Sequence, residues 1–235
     1  MNHYHKELLE QLASYPLMAG EDGRRYSSYM GTDKIVYYLN TAEKVHIAKA
    51  WVKAHPEITE KEYVDLLTAL YAGESHTEIL LASKILEHSP RLRQGLSPQL
   101  LHTWLSRASG WGEVDSICQS NFSADELLAQ WEQWEPVIRS LSVDENIHKR
   151  RASLVLLANP LRKSSDPKLS SLAFEIVERL KSEKSILITK AISWVLRSLV
   201  SNHRQELVEY LQKNRSTLPA IAMRETMRKV ETGRK

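Results

Sequence analysis

Apolar residues recur at three- and four-residue spacing along almost the whole of this 235-residue sequence. That period places one side of each segment in a core and predicts amphipathic α-helices, because a half-buried strand would alternate every second residue. The 42% content of hydrophobic residues is too high for a disordered chain, and only eight Gly and eight Pro are available for turns. The pattern therefore predicts an all-α protein.

The helical segments come in pairs joined by short turns, and the pairs repeat roughly every 35 to 45 residues. Such a period is typical of HEAT-type repeats, so we expect a curved solenoid of HEAT-like antiparallel helix pairs forming a single domain over residues 1–235. The concave face of such an array is its usual binding surface. A compact helical bundle is the alternative architecture.

Caps and prolines mark where individual helices begin and end. Thr59-Glu-Lys-Glu62 and Ser123-Ala-Asp-Glu126 have the spacing of capping boxes. Thr41 is expected to be the N-cap of the helix that follows it. We expect another helix to start near Asn146 and to stop at Asn159-Pro160, because proline removes a helical hydrogen bond and its ring crowds the preceding turn.

The net charge of +3 conceals two oppositely charged parts of the chain. Residues 149–235 contain 19 Lys and Arg against 8 Asp and Glu, a charge of +11, whereas residues 1–148 contain 13 against 21, a charge of −8. A basic part of this kind indicates a polyanionic partner, of which nucleic acid is the commonest, although a solvated basic surface has the same composition.

Composition also limits the cellular setting and the cofactors. Cys118 is the only cysteine, so no internal disulfide forms, and we expect it to be a buried apolar residue in a reducing compartment. No apolar run is long enough to span a membrane, and no targeting segment is evident. The nine histidines show no metal-ligand spacing. We therefore expect a cytoplasmic, monomeric protein without metal or organic cofactor.

Three helical segments carry side chains suited to a cationic ligand attached to a phosphate backbone: Trp111-Gly-Glu-Val-Asp115, Arg150-Arg151-Ala152 and Lys190-Ala-Ile-Ser-Trp-Val-Leu-Arg197. A carboxylate stabilises a developing positive charge, an indole face attracts a cation, and Arg or Lys holds phosphate. In the first segment the indole and the carboxylate are four residues apart and share one helix face. In the third, Trp194 stands four residues after Lys190 and three before Arg197, opposite an apolar face.

These segments make the chain resemble the HEAT-repeat DNA alkylation repair family, the AlkD-type alkylpurine DNA glycosylases. The matching residues are Trp111-x-x-x-Asp115-Ser-Ile117, Arg151-Ala152, the segment from Lys190 to Arg197, and Tyr29-Met30 in the N-terminal part. They occur in the family's order and spacing over most of the chain, and the segment ending at Arg197 is the most specific match.

The resemblance implies base-excision repair of double-stranded DNA containing N3- or N7-alkylated purines. It gives Asp115 the role of stabilising the oxocarbenium-like sugar and orienting the attacking water. Trp111 and Trp194 would press on the deoxyribose and backbone beside the lesion. Members of the family are associated with recognition through the backbone, without a base inserted into a pocket. No cofactor is implied.

The same resemblance assigns the DNA-binding residues. Arg151 would bind phosphate, with Arg150, Lys190 and Arg197 as further candidates, and Tyr29 would either pack or contact a phosphate. Such contacts hold the duplex without reading its sequence.

Two departures from the family leave the activity open. Gly110 and Gly112 flank Trp111 where the family often has a second aromatic residue, and the loop over residues 35–40 lacks the family's glycine. The alternatives are a DNA-binding paralogue without glycosylase activity, which would favour damaged or branched DNA, and a helical-repeat scaffold for proteins.

Overall fold

The computed structural model describes residues 2–233, and within them the regular structure is helical. The extended backbone in this part of the chain forms isolated bridges, which pair Leu17 with Tyr37 and Ile35 with Ser75. The all-α prediction is confirmed. In the same residues, no helix is both long enough and apolar enough to cross a membrane.

The chain divides into two compact units, with the boundary between Ile117 and Cys118. The helices of the first unit are α1 His3–Leu12, α2 Gly20–Met30, α3 Thr41–Ala54, α4 Glu60–Tyr71, α5 His76–Glu87, α6 Pro90–Arg93, α7 Leu100–Trp104 and α8 Trp111–Cys118, the last of which crosses the boundary by one residue. Here α5 contacts α3, α4 and α6, and α4 also contacts α1 and α7. The core of this unit is made largely of Leu and Ile side chains together with the buried rings of Tyr63 and Tyr71.

The helices of the second unit are α9 Ala124–Ala129, α10 Trp131–Ser142, α11 Ile147–Lys163, α12 Pro167–Leu180, α13 Ile186–Leu199, α14 Arg204–Lys213 and α15 Ala220–Thr232. Here α11, α13 and α15 pack side by side, and each also packs on the helix that precedes it. The short loop within each such pair makes its two helices antiparallel. The helices α11, α13 and α15 begin 39 and then 34 residues apart. This spacing agrees with the predicted repeat length, while the single domain and the HEAT type of the repeat stay predictions.

The predicted capping boxes at Thr59 and Ser123 are present, and Ser75 with Glu78 forms another. The prediction for α3 was wrong by one residue, because Asn40 rather than Thr41 is the N-cap. The Asn40 side chain accepts a hydrogen bond from the Glu43 backbone N–H at 3.0 Å, and the Glu43 carboxylate accepts one from the Asn40 N–H at 2.7 Å. The amide of Asn40 and the carboxylate three residues later therefore satisfy each other.

Pro160 does not end α11, contrary to the sequence-based expectation, and the helix continues to Lys163. The proline and the following Leu161 are both buried, and the Pro160 carbonyl accepts a hydrogen bond from the Ser164 N–H at 3.0 Å. Burial of Pro160 and Leu161 outweighs the one hydrogen bond that proline cannot donate.

Replacing Asn40 with Ala should lower the free energy of unfolding by about 1 kcal/mol, because the Glu43 backbone N–H loses the side-chain oxygen that caps it. Thr41→Ala is the matched control, since the exposed Thr41 side chain is not the cap. Urea unfolding of the two variants measures the difference. A larger loss from Thr41→Ala would contradict the assignment of the cap.

Candidate functional site

The amino end of α8 lies against the carboxyl end of α2, and two glycines make this approach possible. Gly31 ends α2 in the left-handed conformation, with φ of 72°. A Cβ atom on Gly110 would collide with the backbone carbonyls of Met30 and Gly31, and one on Gly112 would press on the Met30 side chain. Gly110 thus has a structural reason, since a larger residue there would push α2 away from α8. At Gly112 only the flexible end of the Met30 side chain would have to move.

This approach fixes the ring of Trp111. Its Nε1–H donates a hydrogen bond to the Tyr29 carbonyl oxygen at 2.5 Å, and the Tyr29 ring meets the indole edge-on, with centroids 5.2 Å apart. The Trp111 side chain is half-buried, whereas Tyr29 is 71% exposed. Tyr29 and Trp111, which come from separate segments of the predicted residue set, therefore form one aromatic pair.

Glu113 is the anchor of this corner, and it was missed at the sequence level. Its carboxylate is fully buried and accepts hydrogen bonds from the Thr32 hydroxyl at 2.7 Å and the Ser109 N–H at 2.8 Å. His76 Nδ1 lies 3.0 Å from the carboxylate and Lys34 Nζ 3.1 Å from it. The carboxylate thus joins the residues after α2, the start of α5 and the start of α8.

Burial raises the pKa of Glu113, but the hydrogen bond to His76, those from Ser109 and Thr32, and the nearby Lys34 charge together outweigh it. The pKa is lowered to about 2, so Glu113 is an anion at neutral pH. The only sequence signal for this role was a second acidic residue inside the short segment from Trp111 to Asp115. An acidic residue at that position is equally well explained by its favourable interaction with the start of a helix.

Asp115 lies one turn after Trp111 on α8, on the same helix face, as the spacing predicted. Its side chain is recessed, with 8% of the residue exposed. Cys118, at the end of the helix, is a buried free thiol, and its predicted burial is confirmed.

In the second unit, the adjacent cations Arg150 and Arg151 have different surroundings. The Arg150 guanidinium donates to both Glu183 carboxylate oxygens, at 2.7 and 3.1 Å, and to the carbonyls of Asp144 and Glu145. These bonds tie the turn before α11 to the turn before α13. Arg151 is 5% exposed and donates to the Leu187 carbonyl at 2.6 Å.

Helix α13 carries the third segment with the polarity that the sequence predicted. Ala191, Ile192, Val195 and Leu196 are fully buried. On another face, Lys190 is exposed and both Trp194 and Arg197 are half-buried. The Arg197 Nε–H donates to the Ser193 carbonyl at 3.1 Å.

Each unit therefore assembles part of the predicted residue set. Tyr29, Trp111 and Asp115 belong to the first unit, while the second holds Lys190, Trp194 and Arg197 on one helix. Over residues 2–233, no group of three or more His, Cys, Asp or Glu side chains is arranged to hold a metal ion.

A helical fold that presents a carboxylate, indoles and several cations fits an enzyme acting on nucleic acid, and comparison with known proteins identifies its class. The sequence profile of the DNA alkylation repair enzyme family matches residues 10–230. The chain belongs to this family, and a role in the repair of alkylated DNA follows from it.

A solved structure shares the fold. It is described as a "predicted DNA alkylation repair enzyme" from Enterococcus faecalis, and it superimposes with a TM-score of 0.73 at 16% sequence identity over 89% of this chain and 95% of that one. No curated protein sequence matches the chain.

The low pKa of Glu113 predicts how the free energy of unfolding depends on pH in the acid range. A carboxylate whose pKa is lower in the folded state stabilises the fold above its unfolded pKa of about 4.5, and that contribution is lost as the pH falls toward about 2. Glu113→Gln should lower the free energy of unfolding at pH 7 by on the order of 3 kcal/mol. Urea titrations between pH 7 and pH 2.5 should show the gap from wild type closing below pH 4.5.

The exposed Glu57 provides the control, because Glu57→Gln removes the same charge from the first unit outside this cluster. It should change stability little at any pH. A gap for Glu113→Gln that stays constant across the titration would contradict the assignment of the low pKa.

Proposed function

We propose that this protein is a monofunctional DNA glycosylase of base-excision repair, hydrolysing the N-glycosidic bond of cationic N3- and N7-alkylated purines in duplex DNA. Membership of the DNA alkylation repair family supports the repair of alkylated DNA. The observation that carries the glycosylase proposal is on α8, where a recessed carboxylate follows a fixed indole by one turn.

The chemistry requires little beyond charge stabilisation. An alkylated purine is already positively charged, so it leaves with the bonding electron pair as a neutral base, and the positive charge moves to the sugar. A recessed Asp115 carboxylate stabilises that charge more strongly than an exposed one would, because less water screens it. Water then adds its oxygen to the sugar C1′, and Asp115 accepts the proton that the water loses.

The aromatic and basic residues bind the substrate. In this proposal Trp111 of the first unit and Trp194 of the second each offer a ring face to the deoxyribose and backbone beside the lesion. Lys190 and Arg197 hold phosphates, as do Arg151 and Tyr29 in the same proposal. The lability and charge of the lesion provide most of the selectivity. The protein acts as a monomer in the cytoplasm and is nucleoid-associated when bound to DNA.

The test is release of 7-methylguanine and 3-methyladenine from methylated duplex DNA, at enzyme excess and over long incubation. Asp115→Asn should reduce the single-turnover rate by roughly 10²- to 10³-fold, the loss typical for removing one group that stabilises transition-state charge. Asp65→Asn is the control, because Asp65 is an exposed carboxylate of the first unit, paired only with the exposed Lys61 among the contacts described. Absence of base release by the wild type would refute the enzyme proposal.

The second candidate is a DNA-binding paralogue without glycosylase activity, and the absence of a second aromatic residue beside Trp111 favours it. Gly110 and Gly112 occupy the positions where such a ring would stand. This protein would bind damaged duplex with the affinity unchanged by Asp115→Asn, and it would release no base.

Substitutions of Arg150 and Lys190 should distinguish a cation that stabilises the fold from one that binds DNA. Arg150→Ala breaks four hydrogen bonds to Glu183 and two carbonyls, so its main effect should be a loss of about 1 to 3 kcal/mol in unfolding free energy. Lys190→Ala should leave stability unchanged, weaken duplex binding and reduce the salt slope of log K by about one. Thermal unfolding and fluorescence anisotropy measure the two effects. The reverse pattern would make Arg150 the phosphate ligand.

A further inference from the structure

Glu225 on α15 reaches across to α13 at the point where Trp194 stands. Its Oε2 accepts a hydrogen bond from the Ser193 hydroxyl at 2.6 Å, and the same oxygen lies 3.5 Å from Arg197 Nη2. Ser193 and Arg197 are one turn apart on α13, and Arg197 also donates to the Ser193 carbonyl. The carboxylate therefore contacts residues on both sides of Trp194 along the sequence.

Exposure shows which partner faces solvent. The Glu225 side chain is 38% exposed, whereas that of Arg197 is 12% exposed. Ser193, which anchors the carboxylate, is fully buried. The carboxylate is thus the more accessible member of the pair.

The two contacts of Glu225 differ in strength. The bond to Ser193 is short, while the ion pair to Arg197 is long and partly open to water, which makes it weak. A phosphate binds a guanidinium through two parallel hydrogen bonds and competes well with such a pair. The weak ion pair can therefore be exchanged while the bond to Ser193 is retained.

We propose that Glu225 is a resident anion that occupies the phosphate-binding group of Arg197 in the DNA-free protein and is displaced by a backbone phosphate when duplex DNA binds. This inference rests on the proposed DNA-binding role of Arg197. It adds a residue that no sequence motif indicated, and its effect is to lower the affinity for DNA. Arg224 and Arg228, two exposed cations on the same helix as Glu225, add positive charge to α15.

The test uses fluorescence anisotropy to compare how wild type, Glu225→Gln and Glu231→Gln bind an undamaged duplex of about 20 base pairs. Binding is measured between about 50 and 200 mM salt, because the affinity of a protein with several phosphate contacts falls roughly 10³-fold or more over this range. Glu231 is exposed on the same helix and provides the matched loss of charge. Glu225→Gln should bind about three- to tenfold more tightly than Glu231→Gln, with a salt slope steeper by up to about one.

A charge-conserving variant distinguishes the effect of losing the Glu225–Arg197 contact from the effect of changing the net charge. Glu225→Asp shortens the side chain by one methylene and draws the carboxylate away from Arg197, so it should also bind more tightly than wild type. It serves in addition if Glu225→Gln folds poorly, which thermal unfolding would reveal. In an Arg197→Ala background, Glu225→Gln should have no further effect.

The outcomes distinguish the two proposals. If Arg197→Ala weakens binding but Glu225→Gln binds no more tightly than Glu231→Gln, Glu225 is not a resident anion and the proposed function stands. Weaker binding by Glu225→Gln would make it a structural support and overturn the inference in the same way. If the wild type does not bind the duplex, or Arg197→Ala has no effect, the DNA-binding role of Arg197 fails, and the inference fails with it.

Discussion

The buried Glu113 carboxylate is the interaction on which the first unit's part of the site depends. It is fully buried, so it must be held by the donors of Thr32, Ser109 and His76 and by the charge of Lys34. Satisfying this one anion requires the segment after α2 to lie against the start of α8. Once that segment is in place, the backbone carbonyl that fixes the Trp111 indole is also in place.

The sequence predicted those parts of the structure that local physics controls. Helical periodicity gave the all-α fold, and the capping boxes at Thr59 and Ser123 were correctly located. One failure occurred where tertiary packing decides the outcome, and the other where two neighbouring residues could each be the cap. Burial carried α11 through Pro160, and the Asn40 amide replaced Thr41 as a cap through its exchange with Glu43.

In the candidate site, too, features within one helix were predicted and contacts between distant segments were not. The spacing of Trp111 and Asp115, and the polarity of α13, were readable from the sequence because each lies within one helix. Contacts between distant segments could not be predicted, since Glu113 binds Thr32, 81 positions away, and Glu225 binds Ser193, 32 positions away. The basic composition was also only a rough guide to which cations could bind DNA. It counts Arg150, whose donors bind groups in two turns of the protein, equally with the exposed Lys190.

The hydrogen bond between the Trp111 indole and the Tyr29 carbonyl has a further consequence. An indole has a single hydrogen-bond donor and no acceptor, and here that donor is already used within the protein. What the ring offers a ligand is its electron-rich face, which responds to positive charge and shape but cannot distinguish one pattern of base donors and acceptors from another. Under the proposed function, such a ring favours a positively charged lesion and contributes nothing to recognition of the base sequence.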